Sequence, residues 1–488
     1  MSQEPKKMDR RKFIYAGIGA AVIIVGGAAV YFATKPPEVT TITSTVPTTT
    51  TATSTTTVPT TTTATTTATS TTTATQTSTT TSTLTTTSTA AVKKITWWTV
   101  VNEGKMVSGQ KIGASPDFEN AAIKEFTGQN PNIGVDVVAI PWGDLFTKYV
   151  TALEAGVGPD VLFIPTTWAP QFIYAGYCKD LESFKSELDI NDFSSAALNL
   201  FSAEGKLYGI PMRVDSRLLT YNVDLLKQAG YDRPPAYWPD EVLEWSKALT
   251  KAEIGQYGTG VVGRQTDSII YDFWLCWAIT NGGSILSKDM KECVLNSPEA
   301  VEALQFYCDL LNKYKVAPPG ALDYDKAALR MMFIPGKIAM YSDGMFAATD
   351  FAKTPALKYA FDLIPGTKKI KSGQILGGWA SLINSKTKYE EEAWKLVKFL
   401  ADPKWMATWA LSSPARYSAA SFGGYFDNEG AKKNWEGALF GTPLPMHPKT
   451  GKIIPIIAQG VAEAVGQKKT PSEAMGWITT EVNKLIKT

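Results

Sequence analysis

The chain has 488 residues, and 48 Lys and Arg stand against 46 Asp and Glu for a formal net charge of +2. A balance this close to zero argues against nucleic acid as a partner, because phosphate binding needs a basic excess on one face. One histidine (His447) and four scattered cysteines (Cys178, Cys276, Cys293, Cys308) exclude His-rich metal sites and C-x-x-C motifs, so no metal and no cofactor is expected.

The first ninety residues obey different rules from the rest. Residues 1–12 form a basic N-terminus, with Lys6, Lys7, Arg10, Arg11 and Lys12 ahead of the apolar run FIYAGIGAAVIIVGGAAVYFAT at Phe13 to Thr34. At 1.5 Å per residue that run reaches roughly 30 Å, enough to cross a bilayer core. The positive-inside rule then keeps residues 1–12 in the cytoplasm and places everything after Thr34 outside the cell. The expected location is the cell membrane, single-pass, with 13–34 a transmembrane anchor or an uncleaved signal. Arg10-Arg11-Lys12-Phe13-Ile14 also fits a twin-arginine export signal; topogenic charge alone is the equal alternative. Residues 35–91 are a Thr/Ser/Pro-rich stalk, as in Thr48-Thr49-Thr50-Thr51. With no apolar side chains to bury, it is expected to stay disordered, and its composition is that of an O-glycosylated spacer, a glycoprotein feature.

From Val92 the remaining chain exceeds what one core holds, so two lobes are expected. Lys94 to Val101 (KITWWTVV) reads as a strand and Asp117 to Thr127 as a helix through Phe118, Ala122, Ile123 and Phe126. Gly134 to Ile140 alternates as a strand, Trp142 to Glu154 returns to helical spacing, and Val161 to Ile164 is a short apolar strand. Such βα repeats imply an α/β fold with a parallel sheet, helices on both faces and ligands beyond the carboxyl ends of the strands. Leu207 to Pro211 and Arg217 to Asn222 are further strands flanking Asp215.

The strand-end rule picks out Glu103, Trp142 with Asp144, and Trp168. Two Gly-rich turns end in aromatics, Gly344-Met345-Phe346 and Gly377-Gly378-Trp379. Aromatics and carboxylates on such loops suit a sugar, whose C–H face stacks on a ring while its hydroxyls need charged or amide partners. Each Trp taken alone is more often a core residue.

At Phe126 to Leu181 (FTGQNPNIGVDVVAIPWGDLFTKYVTALEAGVGPDVLFIPTTWAPQFIYAGYCKDL) the chain resembles extracellular solute-binding proteins of ABC importers, in the sugar-binding group similar to maltose-binding protein. Blocks at Gly205 to Ala229, Phe333 to Phe346, Gly377 to Asn384 and Glu391 to Arg416 continue the resemblance in order. It implies a two-lobe periplasmic-binding-protein-like fold (type II) with a hinge. Lobe 1 is expected at 92–213 and 337–384, and lobe 2 at 214–336 and 385–488. Crossings are expected near Met212 to Ser216, Gly336 to Ala339 and Asn384 to Lys386. The ligand-binding residues it implies are Glu103, Trp142, Trp168, Asp215, Tyr271, Asp272, Trp274, Phe346, Trp379 and Arg416. Phe346 stands where relatives often carry Trp. Gly158-Pro159-Asp160 is typical of the family but reads as structural, with Asp160 capping local backbone donors.

The expected function is a membrane-anchored extracellular binding protein, not an enzyme, that delivers a sugar or oligosaccharide to ABC permease subunits. Alternatives are binding of a peptide or polyamine, and a glycoside hydrolase using Asp215 and Asp272. For Cys293 and Cys308, a disulfide and buried free thiols are both open.

Overall fold

Alternating patterns from Lys93 onward fold into βα units. Strand β1 (Lys93–Val100) precedes α1 (Asp117–Gln129), which buries Phe118, Ala122, Ile123 and Phe126 on one face. Strand β2 (Ile133–Ile140) turns at Pro141 into α2 (Trp142–Glu154), which buries Leu145, Tyr149, Ala152 and Leu153. Strand β3 (Val161–Pro165) is buried throughout and leads to α3 (Ala169–Tyr174). Two consecutive strands follow, β4 (Gly209–Ser216) and β5 (Leu218–Asn222).

The middle of the chain contributes β6 (Tyr257–Thr259), α4 (Ser268–Tyr271), α5 (Phe273–Asn281), α6 (Pro298–Asn312), α7 (Lys326–Phe333), β7 (Ile338–Asp343) and β8 (Tyr359–Leu363). After β9 (Ile375–Ile383) come α8 (Glu390–Leu400), α9 (Pro403–Trp409), β10 (Ser413–Pro414), α10 (Glu429–Leu439) and β11 (Thr442–Pro443). Helices α11 (Thr450–Val465) and α12 (Pro471–Lys487) close the chain. A capping box starts α12: Glu473 N–H donates to Thr470 Oγ1 at 3.2 Å, and Thr470 N–H donates to Glu473 Oε2 at 2.8 Å.

This computed structural model describes residues 41–43 and 91–488, except 103, 108, 109, 113, 369, 423, 424 and 440. The apolar run at 13–34, the stalk outside 41–43 and Glu103 therefore lie outside the described residues. Among the described residues, no helix is long and apolar enough to cross a membrane.

Among the described residues two main sheets form beside two short two-stranded ribbons, and neither main sheet is the parallel sheet expected. In the first, β1 pairs in parallel with β2 and β3, but β9 joins β3 antiparallel, and β4 joins β9 antiparallel. These six strands run in the order β2–β1–β3–β9–β4–β10, and β11 pairs in parallel with β9. The second sheet has the order β6–β7–β5–β8, with β5 antiparallel to both neighbours.

Each sheet carries its own hydrophobic core. Trp97, Phe163, Leu382, Trp394 and Trp409 belong to the first, while Leu218, Trp277, Tyr307, Tyr341, Phe361 and Ile478 belong to the second. The chain crosses between them at β4–β5, between β8 and β9, and again between β11 and α11. The expected lobe boundaries need correction. Residues 338–363 pack in the second core rather than the first, and residues 393–438 pack in the first rather than the second. The first crossing lies within a few residues of its expected place. Those expected at Gly336 to Ala339 and Asn384 to Lys386 fall inside single lobes.

Asp160 is structural. Its carboxylate accepts from Thr96 N–H at 2.7 Å, Thr96 Oγ1 at 3.0 Å and Thr387 Oγ1 at 2.5 Å, tying β1 to the segment after β9. All four cysteines are buried free thiols, so Cys293 and Cys308 are not bridged.

Candidate functional site

The carboxyl ends of β2 and β3 deliver Trp142, the first residue of α2, and Trp168, the residue that caps α3. Trp379 stands beside them because β9 pairs with β3 at Pro165 and with β4 at Arg213. The rings of Trp142 and Trp168 stack at 4.9 Å and 8°, and Trp142 meets Trp379 nearly edge-on at 5.6 Å. Phe172 lies near-parallel on Trp168 at 6.4 Å. Trp168 is therefore a backing ring held between two others. The open face belongs to Trp142, 52% exposed, whereas Trp379 is 8% exposed. Gly378 permits this arrangement, since a Cβ there would come within 2.6 Å of the Arg213 carbonyl oxygen.

Strand β4 adds charge to the aromatic corner. Arg213 lies over the Trp379 ring, with Cζ 4.7 Å from its centre. Alternation along the strand puts Asp215 on the same face. Its carboxylate accepts from the Ser412 hydroxyl and lies 3.8 Å from Arg213 Nε. Two residues further on, at the crossing into β5, Arg217 reaches the second lobe.

There Arg217 Cζ sits 5.0 Å from the centre of the Tyr271 ring and 5.8 Å from that of Phe346. Asp272 is the N-cap residue of α5, yet its side chain makes no capping bond. Asp272 is 3% exposed, and neither carboxylate oxygen has a partner; the Tyr271 hydroxyl and Arg217 Nε are likewise buried and unpartnered. Burial pushes the Asp272 carboxyl up to about 7, with Lys326 opposing the rise and Asp343 adding to it. Burial, and then the adjacent Arg217, hold the Lys326 ammonium below its ordinary value. Asp343, by contrast, is fully engaged. It takes both prongs of Arg330 at 3.0 Å, the Tyr341 hydroxyl at 2.7 Å and Gly344 N–H at 2.8 Å.

The structure thus groups Trp142, Trp168, Trp379 and Asp215 on the first lobe, and Tyr271, Asp272 and Phe346 on the second. Met345, beside Phe346, packs against both cores. Two expected residues are elsewhere. Trp274 is wholly buried in the second core, and its indole N–H donates to the Ile269 carbonyl at 2.8 Å. Arg416 is spent on structure, donating to Asp192 Oδ2 at 2.7 Å and to the Ala401 carbonyl at 2.8 Å. Phe346 is crowded by cations rather than offering an open ring. Arg213, Arg217 and Lys326 were not anticipated. The signal for the first two was present in Arg213-Val214-Asp215-Ser216-Arg217, charges at alternate positions of a buried strand. A separate cavity of about 380 Å³ in the second lobe, between Tyr257, Leu311, Lys315 and Gln467, includes none of these residues.

Comparison with known proteins matches residues 112–407 to the model of the bacterial extracellular solute-binding protein family. A protein of Brucella abortus (strain 2308), named only as a binding protein, is 30% identical over 294 residues, 60% of this chain and 70% of the relative. Among solved structures, an ABC transporter solute-binding protein of Thermotoga lettingae TMO bound with α-D-tagatose is similar at a TM-score of 0.71. It shares 27% identity, and the match covers 81% of this chain and 100% of that one. Maltose-bound MalE3 of T. maritima is similar at a TM-score of 0.68 and 26% identity, covering 80% of this chain and 99% of that one.

Proposed function

The chain belongs to the bacterial extracellular solute-binding protein family, and on that premise we propose that it captures a sugar or oligosaccharide for an ABC importer. The observation that carries this reading is the facing chemistry along one strand. Aromatic rings with an open Trp142 face lie at one end, and buried, unpartnered polar groups of Tyr271, Asp272 and Arg217 lie at the other. A pyranose has both faces this requires: C–H surface for the rings and hydroxyls for the polar groups. The tagatose and maltose in the two solved relatives support the same class.

In this proposal Trp142 stacks on the ligand, with Trp168 behind it and Trp379 walling its edge. Asp215, Asp272, Tyr271 and Arg217 take its hydroxyls, and lobe closure buries it. The N-terminal run at 13–34 tethers the receptor to the membrane, the stalk at 35–91 lets it reach the permease subunits, and the ligand is released unchanged. A polyamine is a poorer fit, because Arg217 and Lys326, both unpaired beside Phe346, would repel it. Titration of the purified full chain with mono- and oligosaccharides, followed by Trp fluorescence, is the test. Quenching or enhancement that saturates is expected, and no response across neutral and acidic sugars would remove the reading.

A further inference from the structure

Phe346 is ringed by three cations: Arg217 Cζ at 5.8 Å, Lys326 Nζ at 5.4 Å and Arg330 Cζ at 5.4 Å from the ring centre. Arg330 is neutralised by its fork with Asp343 and by Asp350 at 2.9 Å. Arg217 and Lys326 are not. Among the described residues, neither side chain makes a hydrogen bond or an ion pair. Lys326 also opens α7, the end of a helix where the backbone dipole disfavours a cation. Its neighbour Asp325 gives it no relief, since that carboxylate accepts from Ala328 N–H at 2.9 Å and faces Arg264 at 3.4 Å.

The carboxylates nearby do not balance this pair. Asp343 and Asp350 are taken by Arg330, and Asp215 is held by Ser412. Among the described residues Asp272 makes no hydrogen bond or ion pair, and burial raises its titration point to about 7, so it is mostly uncharged below neutral pH; Asp267 is uncommitted as well, but it is exposed and its charge is screened by solvent. Two like charges held together in a half-buried site repel each other unless an anion lies between them. Arg217 is indeed one of the influences that depress the Lys326 ammonium.

We propose that the ligand is an acidic carbohydrate whose anionic group is gripped by Lys326 and Arg217 while a neighbouring hydroxyl donates to Asp272. This rests on the carbohydrate reading and narrows it. A uronate carboxylate and a sulfate ester share the chemistry, and the test separates them.

The full chain is titrated calorimetrically with galacturonate and glucuronate oligosaccharides, with their neutral galactose and glucose counterparts, and with galactose sulfate. At least one acidic sugar should bind about tenfold more tightly than its neutral counterpart, and that preference should shrink between about 50 and 500 mM salt. A winning uronate identifies a carboxylate site, and a winning sulfate identifies an ester site. Lys326→Met and Arg217→Gln should each cut the acidic-to-neutral ratio about fivefold or more, with unfolding midpoints confirming that both variants fold. The salt dependence needs no variant and stands by itself. Neutral sugars binding as tightly as their acidic counterparts would overturn this inference and leave the carbohydrate reading intact. Silence toward every sugar would overturn both.

Discussion

Asp272→Asn tests the physical state of the site directly. Asp272 is 3% exposed, has no hydrogen-bond partner and titrates at about 7, against an ordinary value of 3.8. A rise of roughly three units at about 1.4 kcal/mol each puts the cost of ionising it in the fold on the order of 4 kcal/mol, an upper bound. The sign follows from which state holds the proton. Below about pH 4 both folded and unfolded chains keep it, so there is no penalty. As pH rises toward 7 the unfolded chain has released the proton while the folded chain retains it, and stability falls. Above about pH 7 the loss is complete.

Asparagine never ionises, so the substitution should leave stability nearly unchanged at low pH. At pH 8 it should raise stability by up to about 4 kcal/mol, roughly 5 °C in melting temperature for ~400 ordered residues. Thermal unfolding of the two proteins at about pH 4.5 and pH 8 reads both quantities. A variant less stable at pH 8, or one shifted equally at both pH values, would show that burial of this carboxyl does not govern its energetics. At pH 8, where the Asp272 carboxyl is ionised, the same variant should bind sugar more weakly, since an amide is a poorer acceptor for a buried hydroxyl than a carboxylate.

Trp142→Ala should weaken sugar binding by about 1–3 kcal/mol, measured by titration, with little change in melting temperature because half of that ring is already exposed. Trp274→Ala should do the reverse: it empties a fully buried site in the second core, costs about 3–5 kcal/mol in stability, and leaves discrimination between sugars unchanged. Gly378→Ala forces a methyl to within 2.6 Å of the Arg213 carbonyl oxygen. It should destabilise by about 1–3 kcal/mol, seen in the urea midpoint, and a neutral outcome would mean that β4 and β9 can part without cost.

How much of this was legible varies with how local the cause is. Trp142 and Trp168 could be grouped from sequence because both follow the carboxyl ends of parallel strands within a few residues, and those ends lie on one edge of the sheet. Trp379 was marked by the glycines before it. Trp274 was misplaced because two residues along a helix is about 200° of rotation, which turns it away from Asp272 and into the core. Arg416 could not be read at all: its partner Asp192 lies 224 positions away. The lobe boundaries failed for a related reason. The apolar strands β7 and β8 carry no mark of which sheet they join. Pairing of Thr220 with Tyr341 on one side and Phe361 on the other decides it.

The groups that weaken the fold are the ones the proposed ligand needs. Asp272 without a hydrogen-bond donor, Lys326 against the helix dipole and Arg217 beside it each raise the energy of the folded chain, and an apolar replacement would relieve all three. Their cost is sunk before any ligand arrives, so each hydrogen bond or ion pair a sugar supplies is gained without a further desolvation penalty on the protein side. Rigid placement adds to this. Arg213 and Asp215 ride on β4, and Arg217 is the single residue linking it to β5 in the second sheet, so the aromatic and polar halves of the site are held in register by a short stretch of backbone rather than by long loops. A site stabilised for its own sake would have paired these charges with each other; leaving them unpaired makes sense only if something else completes them.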